Sequence, residues 1–179
     1  MLEFRPMNAR LYFALWPDDA TRQQLSQYCP QLTREANGQV LFPLTLHMTL
    51  AYLGDVDMKL LPVFEQIANG LEAQPFNYTA NMAGCFPKAR VAWLGTKDVP
   101  GELVVLQKNL RTLLAAAHLD QDQRMFRPYL TVARDVATPF VDKPIAPVQW
   151  HIDHFCLVAT RAGVVGPESD VLKTWPLKS

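Results

Sequence analysis

The stretch LHMTLAYLGDV, residues 46–56, is the strongest indicator of the fold, because a second stretch of the chain nearly repeats it. That second stretch, residues 126–136, reads FRPYLTVARDV. In both, an apolar run carries a polar residue, one spacer and a threonine. The residues concerned are His47 and Thr49 in the first stretch and Tyr129 and Thr131 in the second. We interpret both stretches as β-strands with corresponding polar positions.

The two phrases also predict where these side chains point. Side chains alternate along a strand, so His47 and Thr49 share one face, while the apolar residues beside them face the core. Tyr129 and Thr131 share a face for the same reason. If the two strands pack about a pseudo-two-fold axis, all four side chains line one cleft.

A cleft of this kind suits the hydrolysis of a phosphodiester. One side chain removes a proton from the attacking water, and the other gives a proton to the leaving oxygen. Threonine hydroxyls can bind the non-bridging oxygens, and Arg134 or Arg90 can balance their negative charge. On spacing alone, a structural hydrogen bond is the commoner explanation of a lone histidine on a strand.

The sequence around the two phrases repeats as well. A predicted strand begins at Leu11 and another at Val91, which lie 36 residues before His47 and 38 residues before Tyr129. In each case an amphipathic helix lies between the strand and the polar phrase. Two βαβ-type units of matching size predict an internal duplication.

We expect one domain over residues 1–179, with repeat halves of approximately 10–84 and 90–179. Hydrophobic periodicity predicts a helix that starts at Asp18 or Asp19 and is kinked or ended by Pro30. Further helices are expected over roughly 58–72, with Pro62 in the first turn, and about 101–117. Other strands are expected over 11–15, 45–53, 76–84 and 90–95. The C-terminal third is expected to hold a Pro-punctuated connector over 138–149, one strand over 150–160, and mostly loop over 161–179 with an edge strand near Val171–Trp175.

Composition restricts the class of protein. The chain has 179 residues, of which 49% are apolar and 19% charged, which suits a soluble globular domain. Basic and acidic residues number 17 each, so an anionic ligand must be held by a local group of cations. The three cysteines have no metal-ligand spacing, and the N-terminus has no signal-peptide pattern. We expect a cytoplasmic protein that does not bind a membrane.

The phrase LHMTLAYLGDV resembles the first HxTx signature of the 2H phosphoesterase superfamily, in its branch of RNA 2′,3′-cyclic phosphodiesterases (LigT-like proteins, once called 2′-5′ RNA ligases). RLYFAL at 10–15 resembles the opening strand of that family, and ARVAWLG at 89–95 its central strand. The resemblance implies a bilobal α+β fold, in which two antiparallel sheets line a central cleft with helices outside. It also implies opening of a 2′,3′-cyclic phosphate to a 2′-phosphomonoester without metal or cofactor, and 2′-5′ joining in reverse. The implied partners are RNA ends or small nucleotides, and we expect a monomer.

The resemblance further implies roles for single residues. His47 matches the histidine that donates a proton to the leaving ribose oxygen. The expected substrate-binding residues are Thr49, Thr131, Arg134, Arg90 and Phe13, the last on the opening strand and facing the cleft.

The departures from the family pattern lie on one side of the site. Tyr129 stands where the family has its second histidine, the proton acceptor, and Arg127 stands at another frequent histidine position. Ser169 stands about where many members carry an aromatic residue suited to stacking a base.

Tyr129 leaves three outcomes open. A phenol titrates near ~10 and an imidazole near ~6.5, so a tyrosine base would be populated to roughly one part in a thousand at neutral pH. The rate could be lost, Arg134 and Arg127 could favour the phenolate, or the roles could reverse, with His47 as base and Tyr129 as acid. A rival function, from another class, is the binding of RNA ends or nucleotides without turnover.

The remaining candidate residues have simpler explanations. His151 and His154 fall at i and i+3 of one expected strand, hence on opposite faces, which argues against a shared metal ion, although either could replace part of the missing base. Trp93, Trp150 and Trp175 are expected in the core or at its rim.

Overall fold

The structure, a computed structural model, describes residues 8–41, 45–120, 122–162 and 167–178. In these ranges the chain forms nine β-strands and four α-helices. The strands are β1 (Asn8–Leu15), β2 (Gln39–Val40), β3 (Met48–Asp57), β4 (Phe76–Phe86), β5 (Val91–Gly95), β6 (Leu130–Arg134), β7 (Lys143–Ile152), β8 (His154–Ala162) and β9 (Pro167–Pro176). The helices are α1 (Asp19–Ser26), α2 (Cys29–Ala36), α3 (Leu61–Asn69) and α4 (Gly101–Ala116).

The strands form two antiparallel sheets. Sheet A has the strand order β3-β1-β8-β9, and sheet B has the order β2-β6-β5-β4-β7. Each paired strand runs antiparallel to its neighbour. The expected α+β class with two antiparallel sheets is therefore confirmed.

The two strands that carry the polar phrases lie in different sheets. β3 with Thr49 belongs to sheet A, and β6 with Thr131 belongs to sheet B. Each pairs directly with the strand that opens its unit, β3 with β1 and β6 with β5. Both pairs are antiparallel, whereas a βαβ unit joins parallel strands. The order of elements was predicted, but order along the chain does not fix strand direction.

The helices begin and end where the sequence indicates. The Asp18 side chain accepts a hydrogen bond from the Thr21 backbone N–H at 2.8 Å, which caps α1 as expected. Pro30 lies in the first turn of α2, so the expected helix is divided in two after Ser26. Pro62 lies in the first turn of α3, which follows a short 3₁₀ turn, Met58–Leu60.

β3 has a one-residue bulge directly after its threonine. Thr49 pairs with Ala14 and Ala51 pairs with Phe13, which leaves Leu50 without a partner in the register. Leu50 and Ala51 are both buried, so two successive side chains face the core.

β6 has the same irregularity at the same place. Thr131 pairs with Trp93 and Ala133 pairs with Ala92, which leaves Val132 without a partner. Val132 and Ala133 are both fully buried.

The two bulges reset the alternation of side chains. In both strands the residue three positions after the threonine returns to the face of the threonine. That residue is Tyr52 in β3, which pairs with Tyr12, and Arg134 in β6. Strict alternation would have placed Tyr52 and Arg134 on the core side.

The C-terminal third differs from the sequence expectation in three ways. The expected connector over 138–149 is in large part strand, because β7 begins at Lys143. The expected single strand over 150–160 is two strands in different sheets, and the chain crosses between them at Asp153. The expected loop beyond 161 contains β9, which starts well before the edge strand predicted near Val171–Trp175.

The core lies between the sheets and the helices that cover them. Its largest fully buried side chains include Phe13, Phe64, Tyr78 and Phe155. Trp93, Trp150 and Trp175 are all buried, as expected. Within the part of the chain that the structure describes, no helix is both long and apolar enough to cross a membrane.

Candidate active site

His47 lies immediately before β3 with its ring held on three sides. Its Nδ1 lies 2.6 Å from the backbone carbonyl oxygen of Thr45, so Nδ1–H is the donor and the other ring nitrogen, Nε2, carries the lone pair of the neutral ring. The ring stacks on Trp16 at 5.4 Å between centroids with an interplanar angle of 9°. On the other side it stacks on Tyr12 at 4.9 Å and 30°. These contacts fix the orientation of the imidazole.

A buried arginine extends this stack. The guanidinium of Arg22, on α1, lies 5.4 Å from the centroid of Trp16. Its Nη2 donates to the Pro17 carbonyl at 2.7 Å, whereas its buried Nε has no hydrogen-bond partner in the described part of the chain. The column therefore runs from Arg22 through Trp16 and His47 to Tyr12.

The surroundings of His47 favour its neutral form. Burial lowers the pKa of His47, the Thr45 carbonyl acts in the opposite direction, and the positive charges of Arg134 and Arg22 lower it further. At neutral pH the imidazole is thus neutral and can accept a proton at Nε2.

The substrate-binding residues predicted on β3 and β6 lie on one face of each strand. Thr49 and Thr131 are both half-buried. Substrate binding by the two threonines stays a prediction. Burial raises the pKa of Tyr12, and the charge of Arg134 acts in the opposite direction. The charge of Arg134, on sheet B, thus acts on both His47 and Tyr12. The bulge in β6 returns Arg134 to the face of Thr131.

Tyr129 lies immediately before β6, as His47 lies immediately before β3. Its ring meets Phe86 edge-on at 4.8 Å and 68°. Its backbone N–H donates to the Arg127 carbonyl at 2.9 Å, which tightens the turn that leads into the strand. Tyr129 and Thr131 flank Trp93, the cross-strand partner of Thr131.

Arg124 is a cation near the candidate site that the sequence analysis did not single out. Asp122 pairs with Arg124 through two side-chain hydrogen bonds of 2.9 and 3.1 Å and raises the pKa of Arg124. Tyr129 and Tyr52 add to that increase. The guanidinium of Arg124 also lies 5.3 Å from the Tyr52 centroid. Arg127 covers the Phe86 ring at 4.3 Å, and its action on Tyr129 stays a prediction.

Phe13 does not lie in the cleft. Its side chain is fully buried and packs against Phe64, Phe155 and Trp175 in the core. The prediction that Phe13 faces the cleft is therefore wrong, and its neighbour Tyr12 takes that face. The alternation of LYFAL contained this signal, since Leu11, Phe13 and Leu15 form the apolar side.

Arg90 lies in the turn before β5 and contacts the end of β6. Its Nε donates to the Val136 carbonyl and its Nη2 to the Asp135 carbonyl, each at 3.3 Å. It thereby holds the chain directly after Arg134. Substrate binding by Arg90 stays a prediction.

The remaining residues that the sequence analysis considered for the site make hydrogen bonds to nearby side chains. His151 and His154 belong to different sheets, so the argument from one shared strand was wrong. His151 bonds to Asn77 Oδ1 at 2.8 Å and His154 to Asp153 Oδ1 at 2.7 Å. Ser169 does lie beside the column, because it accepts a hydrogen bond from the Tyr12 hydroxyl at 3.2 Å.

The residues that the structure describes contain neither a metal-binding cluster nor a disulfide. No group of three or more His, Cys, Asp or Glu side chains there could hold a metal ion. Cys29 and Cys156 are buried free thiols, and burial raises the pKa of Cys29 to about 11 and that of Cys156 to about 12. Both thiols are therefore protonated and unreactive at neutral pH.

The chain is similar to known proteins over most of its length. The family model described as the 2′-5′ RNA ligase superfamily matches residues 17–163. An RNA 2′,3′-cyclic phosphodiesterase of Escherichia coli is 29% identical over 170 residues, which cover 94% of this chain and 96% of that protein. Another, of Archaeoglobus fulgidus, is 30% identical over 128 residues, which cover 70% and 72% of the two chains. The crystal structure of E. coli LigT complexed with 3′-AMP superposes with a TM-score of 0.88 at 26% identity, covering 96% of this chain and 99% of that one.

Proposed function

Because the chain belongs to the 2′-5′ RNA ligase superfamily, we propose that it hydrolyses 2′,3′-cyclic phosphates on RNA ends or small nucleotides to 2′-phosphomonoesters. When the 5′-hydroxyl of a second RNA end attacks the cyclic phosphate in place of water and the 3′ oxygen leaves, the same site joins the two ends through a 2′-5′ bond. This is the reaction of an RNA 2′,3′-cyclic phosphodiesterase. The relatives from E. coli and A. fulgidus are named after the same activity. We expect it to act as a monomer in the cytoplasm.

The observation that carries this proposal is the matched pair of strands. One strand from each sheet presents a polar residue, a spacer and a threonine, followed by the same bulge. His47 and Thr49 thus belong to the side of sheet A, and Tyr129, Thr131 and Arg134 to the side of sheet B. The charge of Arg134 acts on His47. A phosphate bound between the sheets would have one proton-transferring group on each side, His47 and Tyr129. The threonine hydroxyls and the arginine would bind its oxygens.

The protonation state of His47 supports a specific division of roles. Its neutral ring, fixed through Nδ1–H, offers Nε2 as the base that takes a proton from the attacking water. The Tyr129 hydroxyl then gives its proton to the 3′ oxygen as the bond from phosphorus to that oxygen breaks. The water oxygen ends on phosphorus, and the 2′ ester bond remains. These roles are the reverse of those that the family resemblance implies.

Thr49, Thr131 and Arg134 bind the phosphate in this scheme. The two hydroxyls donate to the non-bridging oxygens, and the guanidinium balances the charge that grows on them in the transition state. The negative phosphate also favours the protonated imidazole, so His47 becomes a stronger base when substrate is bound.

Hydrolysis of adenosine 2′,3′-cyclic phosphate by the purified protein tests the function. The wild type is expected to form the 2′-phosphomonoester, followed by ³¹P NMR. His47→Ala and Tyr129→Phe should each lower kcat by about 10²–10⁴-fold, the usual contribution of an acid or base. Tyr129→His, which keeps a proton-transferring group, should retain far more of the rate than Tyr129→Phe. His118→Ala and Tyr28→Phe, which alter the same residue types away from the cleft, should leave kcat unchanged.

The pH profile of kcat/KM tests the roles. If neutral His47 is the base, kcat/KM falls on acidification through the lowered pKa of His47, below the ordinary value of ~6.5. A profile that rises on acidification through that range would assign the proton-donor role to His47 instead. A wild type that binds the cyclic nucleotide but forms no product would overturn the proposed activity.

A further inference from the structure

Two residues with a left-handed backbone conformation lie where β5 begins and β6 ends. Arg90, directly before β5, has a φ of 54°, and Asp135, directly after β6, has a φ of 53°. Residues other than glycine adopt this conformation at a cost in free energy, and they keep it only where their contacts hold them there. Because Asp135 follows Arg134, this turn fixes the direction in which the chain leaves Arg134.

Arg90 supplies the contacts that hold the turn closed. Its Nε donates to the Val136 carbonyl and its Nη2 to the Asp135 carbonyl, each at 3.3 Å. The Arg90 carbonyl accepts a hydrogen bond from the Val136 backbone N–H at 3.1 Å. Val136 is buried, so the far end of the turn is anchored in the core. Three hydrogen bonds thus join Arg90 to the two residues that follow Arg134.

The other side of the same segment is held by the end of α2 and by β2. Gln39 pairs with Arg134 in sheet B, and the Ala137 backbone N–H donates to the Ala36 carbonyl at 3.2 Å. Gly38 lies close against this segment, because a Cβ at position 38 would be 2.9 Å from the Arg134 carbonyl oxygen. The backbone that carries Arg134 is therefore held from both sides, and Arg90 provides the side that α2 and β2 do not.

The contacts of Arg90 differ from those of Arg134. Two guanidinium nitrogens of Arg90 donate to backbone carbonyls of neighbouring residues, and the planar fork of a guanidinium gives such a pair of contacts a fixed orientation. Arg134 is exposed on the face of Thr131, and its charge acts on His47. The guanidinium of Arg90 thus binds the chain, whereas that of Arg134 belongs to the candidate site.

We propose that Arg90 is a positioning residue, which holds the left-handed turn at Asp135 and thereby fixes Arg134 for the reacting phosphate without contacting the substrate. This role rests on the proposed function, in which Arg134 binds the phosphate. Without Arg90, the turn relaxes towards ordinary backbone conformations and Arg134 moves away from the phosphate oxygens. A displacement of about 1 Å within an active site lowers the rate by about 100-fold.

A double-mutant cycle on the hydrolysis of adenosine 2′,3′-cyclic phosphate separates positioning from direct contact. Arg134→Met should lower kcat/KM by about 10²–10³-fold, as expected when one donor to the developing charge is removed. Arg90→Met should lower it by about 10- to 100-fold. The double variant should be no slower than Arg134→Met alone, because Arg90 acts through Arg134. Losses that multiply would show that Arg90 acts on the substrate directly and would overturn the proposal.

Asp135→Gly supplies a rescue that only the positioning role predicts. Glycine adopts a positive φ without a steric cost, so the turn then depends less on Arg90. Adding Asp135→Gly to Arg90→Met should recover part of the lost kcat/KM, whereas Asp135→Gly alone should leave the wild-type value nearly unchanged. The absence of any recovery would contradict the role of the turn.

Two variants separate this role from an effect of charge or of folding. Arg90→Lys keeps the charge but not the fork of two nitrogens, so it should lose nearly as much kcat/KM as Arg90→Met. It carries the test if circular dichroism shows that Arg90→Met is unfolded, and full activity in Arg90→Lys would overturn the proposal. Lys88→Met is the matched control, because Lys88 is an exposed cation two residues before Arg90, and it should leave kcat/KM unchanged.

Failure of this role and failure of the proposed function give different results. Hydrolysis by the wild type together with losses that multiply overturns the role of Arg90 alone. If the wild type forms no product, the proposed function fails, and the same cycle is measured on the Kd of adenosine 2′-monophosphate by calorimetry. A double variant that binds no more weakly than Arg134→Met supports the role, and losses that multiply overturn it. A wild type that binds neither nucleotide would overturn both.

Discussion

Single residues decide which proton-transfer role each side of the cleft takes. His47 is held between two aromatic rings, with one nitrogen bonded to a backbone carbonyl and two arginine charges in its surroundings. Both the burial and the charges favour the neutral imidazole. A tyrosine in place of the second histidine is compatible with this state, because a phenol is a proton donor. His47 as base and Tyr129 as acid form a complementary pair.

A substitution at Arg22 tests whether nearby positive charge lowers the pKa of His47. Arg22→Met removes a positive charge that lowers the pKa of His47, so that pKa should rise towards its ordinary value. The acidic limb of kcat/KM should then move to higher pH, by less than about one unit since burial remains the larger cause. The measurement is the pH profile for a cyclic nucleotide.

Arg111→Met is the matched control for this variant. Arg111 also lies on a helix and pairs with Asp120 at 3.0 Å, but it does not contribute to the pKa of His47. The acidic limb of the kcat/KM profile of Arg111→Met should coincide with that of the wild type. A limb that stays in place in Arg22→Met, or moves to lower pH, would contradict the role assigned to Arg22.

At the scale of elements, the sequence predicted the strands and helices of the first two thirds well, because their hydrophobic periods are regular. It failed where prolines occur in strands. Pro144 and Pro147 indicated a connector, yet β7 is an edge strand of sheet B, where a missing N–H can face solvent. The bulges were also unreadable, because an extra residue leaves the composition of a strand unchanged. For that reason alternation alone could not place Arg134 or Tyr52 in the cleft.

The bulge in β3 has a partner on α4 that can be removed. Leu50 has no partner in the strand register, and its carbonyl accepts a hydrogen bond from Gln107 Nε2 at 3.4 Å. Gln107→Met, which keeps the shape of the side chain, leaves that carbonyl unsatisfied. The free energy of unfolding should fall by about 1 kcal/mol.

Urea denaturation measures this change. Lys108→Met, at the neighbouring exposed position of α4, is the matched control and should leave the free energy of unfolding within about 0.5 kcal/mol of the wild type. An unchanged midpoint and slope in Gln107→Met would show that the bulge does not depend on this bond.

At the scale of the whole molecule, both sheets combine strands from the first and the second half of the chain. Sheet A consists of β1 and β3 together with β8 and β9, and sheet B places β4 between β5 and β7. The two sides of the cleft are thus assembled from interleaved segments. The repeat halves predicted from the sequence stay a prediction, but neither would hold a complete sheet.

A fragment that ends at Phe86 should therefore fail to fold. It would keep only the β1–β3 pair of sheet A, and β2 and β4, which are not neighbours in sheet B. Far-UV circular dichroism of this fragment should show no cooperative thermal transition, whereas the full chain should unfold in one transition by both dichroism and tryptophan fluorescence. A sharp transition in the isolated fragment, or two separate transitions in the full chain, would contradict this view.

The paired bulges change how such proteins should be searched for in genomes. A pattern that extends H-x-T by strict alternation examines positions 51 and 133, and finds alanine at both. The side chains that return to the face of the threonine are one place further on, Tyr52 and Arg134. A profile that weights the third residue after the threonine would separate true relatives from chance matches to three letters. It would also reveal lineages in which the two strands have exchanged their aromatic and basic residues.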